Sequence, residues 1–145
     1  MQDTSKTLLQ NCIEKIEGAY EYMLAYAAQG RKNEPAAGEG SGGLSIRTFL
    51  EELVWGIKHI ADGFDEAAQV LTLDSSAYEK IENFKAILTH DANSALAVVE
   101  LVLNVQSLSS QVIDNLNAST HVRSLLTDIF VLDEVLKIHQ QDTLG

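Results

Sequence analysis

Three features of this 145-residue sequence predict an all-α fold. Apolar residues recur at alternating three- and four-residue steps along most of the chain. The one proline falls in a glycine-rich connection, and no stretch alternates for long enough to read as a strand. At roughly 100–200 residues per domain the expected architecture is one domain, 1–145, built as an up-and-down bundle of four long or five shorter helices.

The first helix is read from Leu9, Cys12, Ile16, Ala19, Met23 and Tyr26, a single apolar stripe with Glu14, Glu17 and Glu21 on the opposite, solvated side. Gly30 is its expected C-terminal cap. Residues 30–44 hold five of the nine glycines and the only proline, so a long flexible connection is expected there.

A second helix is expected to open at Ser45 or Thr48, where Thr48 and Glu51 have capping-box spacing. Its stripe, Leu50, Leu53, Ile57, Ile60, Phe64, Ala67 and Leu71, keeps register for about six turns at ~3.6 residues per turn. Gly56 and Gly63 lie one heptad apart beside it. Each costs about 1 kcal/mol against alanine inside a helix, so a close approach of a neighbouring helix is the expected compensation.

The third region is expected to start at a capping box of Ser76 and Glu79. Its stripe reads Ile81, Phe84, Leu88, Asp91, Ala95, Val98, Val102 and Val105 and, allowing Ser109, continues to Val112 and Leu116. Residues 89–94 (Thr-His-Asp-Ala-Asn-Ser) are poor helix-interior composition, which predicts one bent helix or two consecutive ones over 76–117, with the break near Asp91. Between 96 and 105 only Glu100 and Asn104 are polar, the pattern of a helix that is central or at an oligomer interface. A phase shift then starts a last helix near Ser119, carried by Val122, Leu125, Ile129, Leu132 and Leu136. Phe130 and Val131 fall off that stripe as a second apolar surface.

Ten Lys and Arg against 21 Asp and Glu give a net charge of −11, which opposes nucleic acid and anionic membrane surfaces and directs attention to protein partners. No unbroken apolar run reaches the roughly 18 residues of a membrane helix, and residues 1–6 lack the shape of a secretory signal. Cys12 alone can form neither an internal disulfide nor a cysteine metal cluster. A cytoplasmic protein is therefore expected.

No catalytic or cofactor signature outweighs a structural explanation, and a non-enzymatic chain with no cofactor is expected. Residues 38–43 spell G-x-G-x-x-G, but a helix rather than a strand precedes them and Glu39 is acidic, so they read as connection. Glu52, His59 and Glu66 line one helix face about 10 Å apart at ~1.5 Å per residue, which reads as a solvated stripe. Asp91 lies on an inward side, where a carboxylate must cap a helix, pair with a donor such as His121 or Arg123, or bind a ligand.

The leading functional expectation is an acidic interaction protein that self-associates, with Trp55, Phe130, Val131 and Leu103 as its contact residues. One alternative is a ferritin-like metal or redox bundle with the atypical ligands Asp91, His90, His121 and Asp128. Another is an acidic inhibitor or immunity-type protein that occupies a basic site.

Overall fold

The computed structural model describes residues 6–35, 45–71 and 75–144, without the side chains of 70, 71, 75, 76 and 139–144. The all-α expectation holds. Five helices follow in order, α1 (Leu8–Ala27), α2 (Ile46–Leu71), α3 (Ser75–Leu103), α4 (Ser110–Ala118) and α5 (Thr120–Leu144), and no strand occurs among the described residues. The principal packed pairs are α1 with α2, α2 with α3, α3 with α5 and α1 with α4. These make a closed ring around one core in which α4 and α5 together occupy the fourth helical position.

The α1–α2 pair is the tightest contact. Leu9, Cys12, Ile16, Ala19, Met23 and Tyr26 are buried against Leu50, Leu53, Ile57, Ile60 and Phe64, the two stripes expected. A Cβ placed on Gly63 would lie 2.9 Å from the Leu9 Cα, and one on Gly56 would lie 2.8 Å from the Ile16 side chain and 3.0 Å from the Cys12 carbonyl oxygen. The two glycines therefore mark the predicted close approach, where backbone meets backbone and a methyl group does not fit.

The helix ends are set by side chains. Thr7 and Gln10 form a reciprocal capping box at α1 that the apolar pattern did not reveal. At α2 the cap is Ser45, whose hydroxyl accepts from the Thr48 amide, so Thr48 lies inside the first turn and the expected Thr48–Glu51 box does not form. Ser109 caps α4 by accepting from the Val112 amide. Ser76 lies inside α3, which opens at Ser75, and its side chain lies outside the described residues, as do residues 36–44 of the expected connection, including all of 38–43.

The third region is two consecutive helices, one of the two forms expected, but its break does not fall near Asp91. α3 passes unbroken through 89–94, because Leu88, Ala92, Ala95 and Val99 are buried at steps of four, three and four, and that burial outweighs weak local propensity. The break falls instead at 104–109, so the matched phase of Val105 and Val112 runs from this connection into a separate helix. The Arg47 guanidinium crosses from α2 to this connection and donates to the carbonyl oxygens of Leu103 (3.0 Å), Val105 (2.6 Å) and Gln106 (3.1 Å). It also pairs with Glu34 at 2.9 Å, and Glu34 accepts from the Leu108 amide. Orphan carbonyls at the end of α3 thus find a donor from another helix.

The start of the expected flexible connection is likewise tied down. The Arg31 amide donates to Ser110 Oγ, the Ser110 amide to the Arg31 carbonyl, and the Glu34 amide to Ser107 Oγ. Gly30, with φ +66°, turns the chain into this run. Beside it, the buried Tyr26 hydroxyl donates to the Leu108 carbonyl and Ser110 Oγ to that of Tyr26.

Three stability outcomes are expected. Gly63→Ala should lower stability by up to about 2 kcal/mol, since overpacking of ~1–3 kcal/mol against the Leu9 backbone is offset by only ~1 kcal/mol of helix propensity. Gly18→Ala, with nothing within 4 Å of the added Cβ, should raise it by up to ~1 kcal/mol. Arg47→Met should cost roughly 2 kcal/mol, because it strips donors from three carbonyls and leaves Glu34 without its cation. Urea unfolding of the three variants checks the signs.

Candidate functional site

Two features stand out from the packing. The first is a carboxylate pair at the α3–α5 seam. Asp91 from α3 and Asp128 from α5 line one open depression of about 340 Å³ with Thr120, Arg123, Ser124 and Thr127, within hydrogen-bonding reach of each other once one of them is protonated. Asp91 sits inside α3, so it caps nothing, and its partner is another acid rather than His121 or Arg123. Asp128 Oδ2 is buried with no donor in reach. Burial, then the hydrogen bond to Asp91, then repulsion from its charge push the Asp128 carboxyl up to about 7.

The pair does not grow into the expected metal set. His90 and His121 are both exposed, and among the described residues no group of three or more His, Cys, Asp or Glu side chains is placed to hold a metal ion. On α2, Glu66 is exposed, Glu52 pairs with Lys15 at 3.6 Å, and His59 Nδ1 bonds the Trp55 carbonyl oxygen at 2.8 Å. Only Glu66 fits the solvated stripe in full.

The second feature is uncovered apolar surface. Among the described residues nine large hydrophobic side chains are exposed. Three stand on α3 (Tyr78, Ile87, Leu101), four on α5 (Phe130, Val131, Val135, Ile138) and one, Val105, just past α3. Leu24 of α1 is the ninth. Phe130 and Val131, expected as a second surface, are 50% and 52% exposed, and Leu101 reaches 70%. Val131, Val135 and Ile138 follow steps of four and three and so form a stripe of their own on the side of α5 away from Leu125, Ile129 and Leu132. That spacing is visible in the sequence but lies under the stronger core pattern.

The other two expected contact residues are placed differently. Trp55 is half-buried against the core, stacked on His59 with ring centroids 4.4 Å apart and with the Lys15 ammonium 5.6 Å from its ring. Leu103 is half-buried and packs on the same core. Both spend much of their surface within the chain. Trp55, expected as a contact residue, is partly covered because α1 reaches over it with Lys15.

The α3 segment 77–103 is, by length and composition alone, apolar enough to cross a membrane, although polar residues interrupt its apolar runs. The same helix packs on α2 and α5 and carries Asp91 and the Lys58-paired Glu100. Between α1 and α5 a further depression of about 250 Å³ is lined by Lys6, Gln10, Ile13, Glu14, Glu17 and Asp133. Burial, with the charges of Asp133 and Glu21 behind it, raises the Glu17 carboxyl above its ordinary range. Glu17 is half-buried, whereas its helix-mates Glu14 and Glu21 are exposed as expected.

Comparison with protein-family models, characterised proteins and solved structures finds no match to this chain.

Cys12 is fully buried, as its place in the stripe implied, and burial, reinforced by Asp62, pushes its thiol up to about 12. Only the thiolate attacks, so a thiol reagent at pH 8 should label folded Cys12 at least ~100-fold more slowly than the urea-unfolded chain. Stopped-flow absorbance at both conditions checks this.

Proposed function

We propose that this chain is a non-enzymatic interaction module that pairs with a second copy of itself through the outer surface of α3 and α5. The observation that carries the reading is the concentration of exposed apolar side chains on those two helices, with only Leu24 and Val105 elsewhere among the described residues. Contiguous apolar surface costs free energy in water, and a matching apolar surface removes that cost at roughly 25 cal/mol per Å² buried.

Charge favours a second copy despite the net −11. Of the exposed positions of α3, Asn83, Ile87, His90, Ala97 and Leu101 carry no formal charge with histidine neutral, and Glu79, Glu82 and Glu100 are accompanied by Lys80. On α5 the exposed Glu134 is accompanied by the exposed Arg123 and Lys137. The acidic excess therefore lies mainly off this surface, and two copies meeting on it avoid most of their mutual repulsion. A two-fold arrangement satisfies both copies with one self-complementary patch. The buried, unreactive Cys12 fits a reducing compartment, and we place the protein in the cytoplasm.

Light-scattering mass on a size-exclusion column should give a multiple of 15.9 kDa for the wild type. The triple variant Val131→Ser, Val135→Ser, Ile138→Ser should elute at the single-chain mass with unchanged helical circular dichroism. Added salt should strengthen association by screening the long-range repulsion, the opposite of an acidic chain binding a basic partner. A wild-type chain at 15.9 kDa at micromolar concentration overturns the reading.

A further inference from the structure

The Asp91–Asp128 pair is an odd device for joining two helices. Asp128 Oδ2 is shut away from solvent with no hydrogen-bond donor, and the neighbour within hydrogen-bonding reach of the side chain is a second carboxylate. Two ionised carboxylates cannot hydrogen-bond each other. A proton between them turns the same contact into a charge-assisted hydrogen bond and removes the repulsion across the seam.

We propose that this pair is a proton-operated latch: with one proton between the two carboxylates the N-terminal half of α5 stays seated on α3, and loss of that proton as pH rises loosens it. The latch works from geometry, since the pair lines one depression from two helices that are separate in sequence.

The electrostatic surroundings are simple. From α3 the facing group is Asp91, with the exposed His90 beside it in sequence. From α5 the only charged companion lining the depression is Arg123, and Thr120, Ser124 and Thr127 are neutral. His121 is exposed one turn before Ser124. On α4, which also packs on α5, Asp114 lines a different depression with Arg31 and Lys32. The α1 carboxylate that faces α5, Glu17, acts with Asp133, five residues beyond Asp128. The Asp128 carboxyl, raised toward neutrality mainly by burial, supports the latch.

The sign follows from linkage. In the unfolded chain Asp128 releases its proton near its ordinary value, 3.8, while the seated pair holds one to about 7. Between these limits the seated state binds more protons than the open one, so seating weakens as pH rises and levels off above the upper limit. α1 and α2 do not share the pair and should respond less.

The test is hydrogen exchange on the full chain at pH 5.5 and 8.5, corrected for intrinsic rates, comparing amides of 122–131 with those of α1. The association variant Val131→Ser, Val135→Ser, Ile138→Ser is measured beside the wild type, so that loss of self-association and failure of the latch are distinguishable. Protection of 122–131 relative to α1 should fall at least tenfold between the two pH values, and Asp128→Asn or Asp91→Asn should abolish the fall. The Asn variants also separate the pair from the histidines, whose class titrates in the same interval.

No fall in the wild type, or an undiminished fall in both Asn variants, overturns the latch. Should either variant fail to fold, the wild-type side-chain carboxyl carbon of Asp128 decides by NMR. A midpoint near neutrality supports the latch, and one near 4 overturns it.

Discussion

The fold depends on how closely α1 can lie against α2. With Gly56 facing Ile16 and Cys12, and Gly63 facing the Leu9 backbone, the two helices approach until main-chain atoms are in contact, and two complete apolar stripes interlock on either side. This pair is the scaffold for the rest: α3 packs on α2, α4 on α1, and α5 closes the ring from α3. The glycines weaken α2 as an isolated helix, and the weakness is offset by dispersion and burial gained along its length. A longer interaxial distance would separate both stripes at once and leave Tyr26 and Ser110 without the contacts that position the later chain.

Polar contacts then fix the connections that apolar stripes leave unspecified. Arg47 and Glu34 form a half-buried pair whose remaining hydrogen-bonding capacity is spent on the backbone of 103–108. An ion pair in such a place is a poor source of net stability, because both groups give up hydration. Its effect is geometric. By holding the end of α3, Arg47 determines where the chain leaves that helix and so where Ser109 can start α4.

This explains what was readable in the sequence. The core stripes of α1, α2 and α5 and the close approach at Gly56 and Gly63 follow from periodicity and propensity, which are local properties. The continuity of α3 does not, since Thr89, Asn93 and Ser94 argue locally for a break that Leu88, Ala92, Ala95 and Val99 override through contacts distant in sequence. Nor does the real break at 104–109, whose clearest local sign was the serine cluster before α4 while its cause, Arg47, lies on another helix. Asp91 was legible as a carboxylate in need of a partner. Its pairing with Asp128 was not, because sequence chemistry favours an opposite charge and only the antiparallel seam brings two acids together. Trp55 shows the same limit from the other side: a position off the main stripe was covered by Lys15 and stacked on His59.

A consequence follows for α5, which has to satisfy two demands along one helix. Toward the core it presents Leu125, Leu126, Ile129 and Leu132, and away from it Val131, Val135 and Ile138, so only a narrow polar margin separates buried from exposed apolar side chains. A helix apolar on two sides gains from rotation or displacement almost as much as from its native seat, and burial alone specifies that seat weakly. A directional contact resolves the ambiguity. In the proposed latch a proton-bridged bond joins Asp91 of α3 to Asp128, one turn before Val131 on α5. With that bond made, the core face is held inward and the Val131 stripe outward. The orientation of the proposed association surface therefore rests on a polar pair beside it, and the apolar residues on either face do not determine it alone.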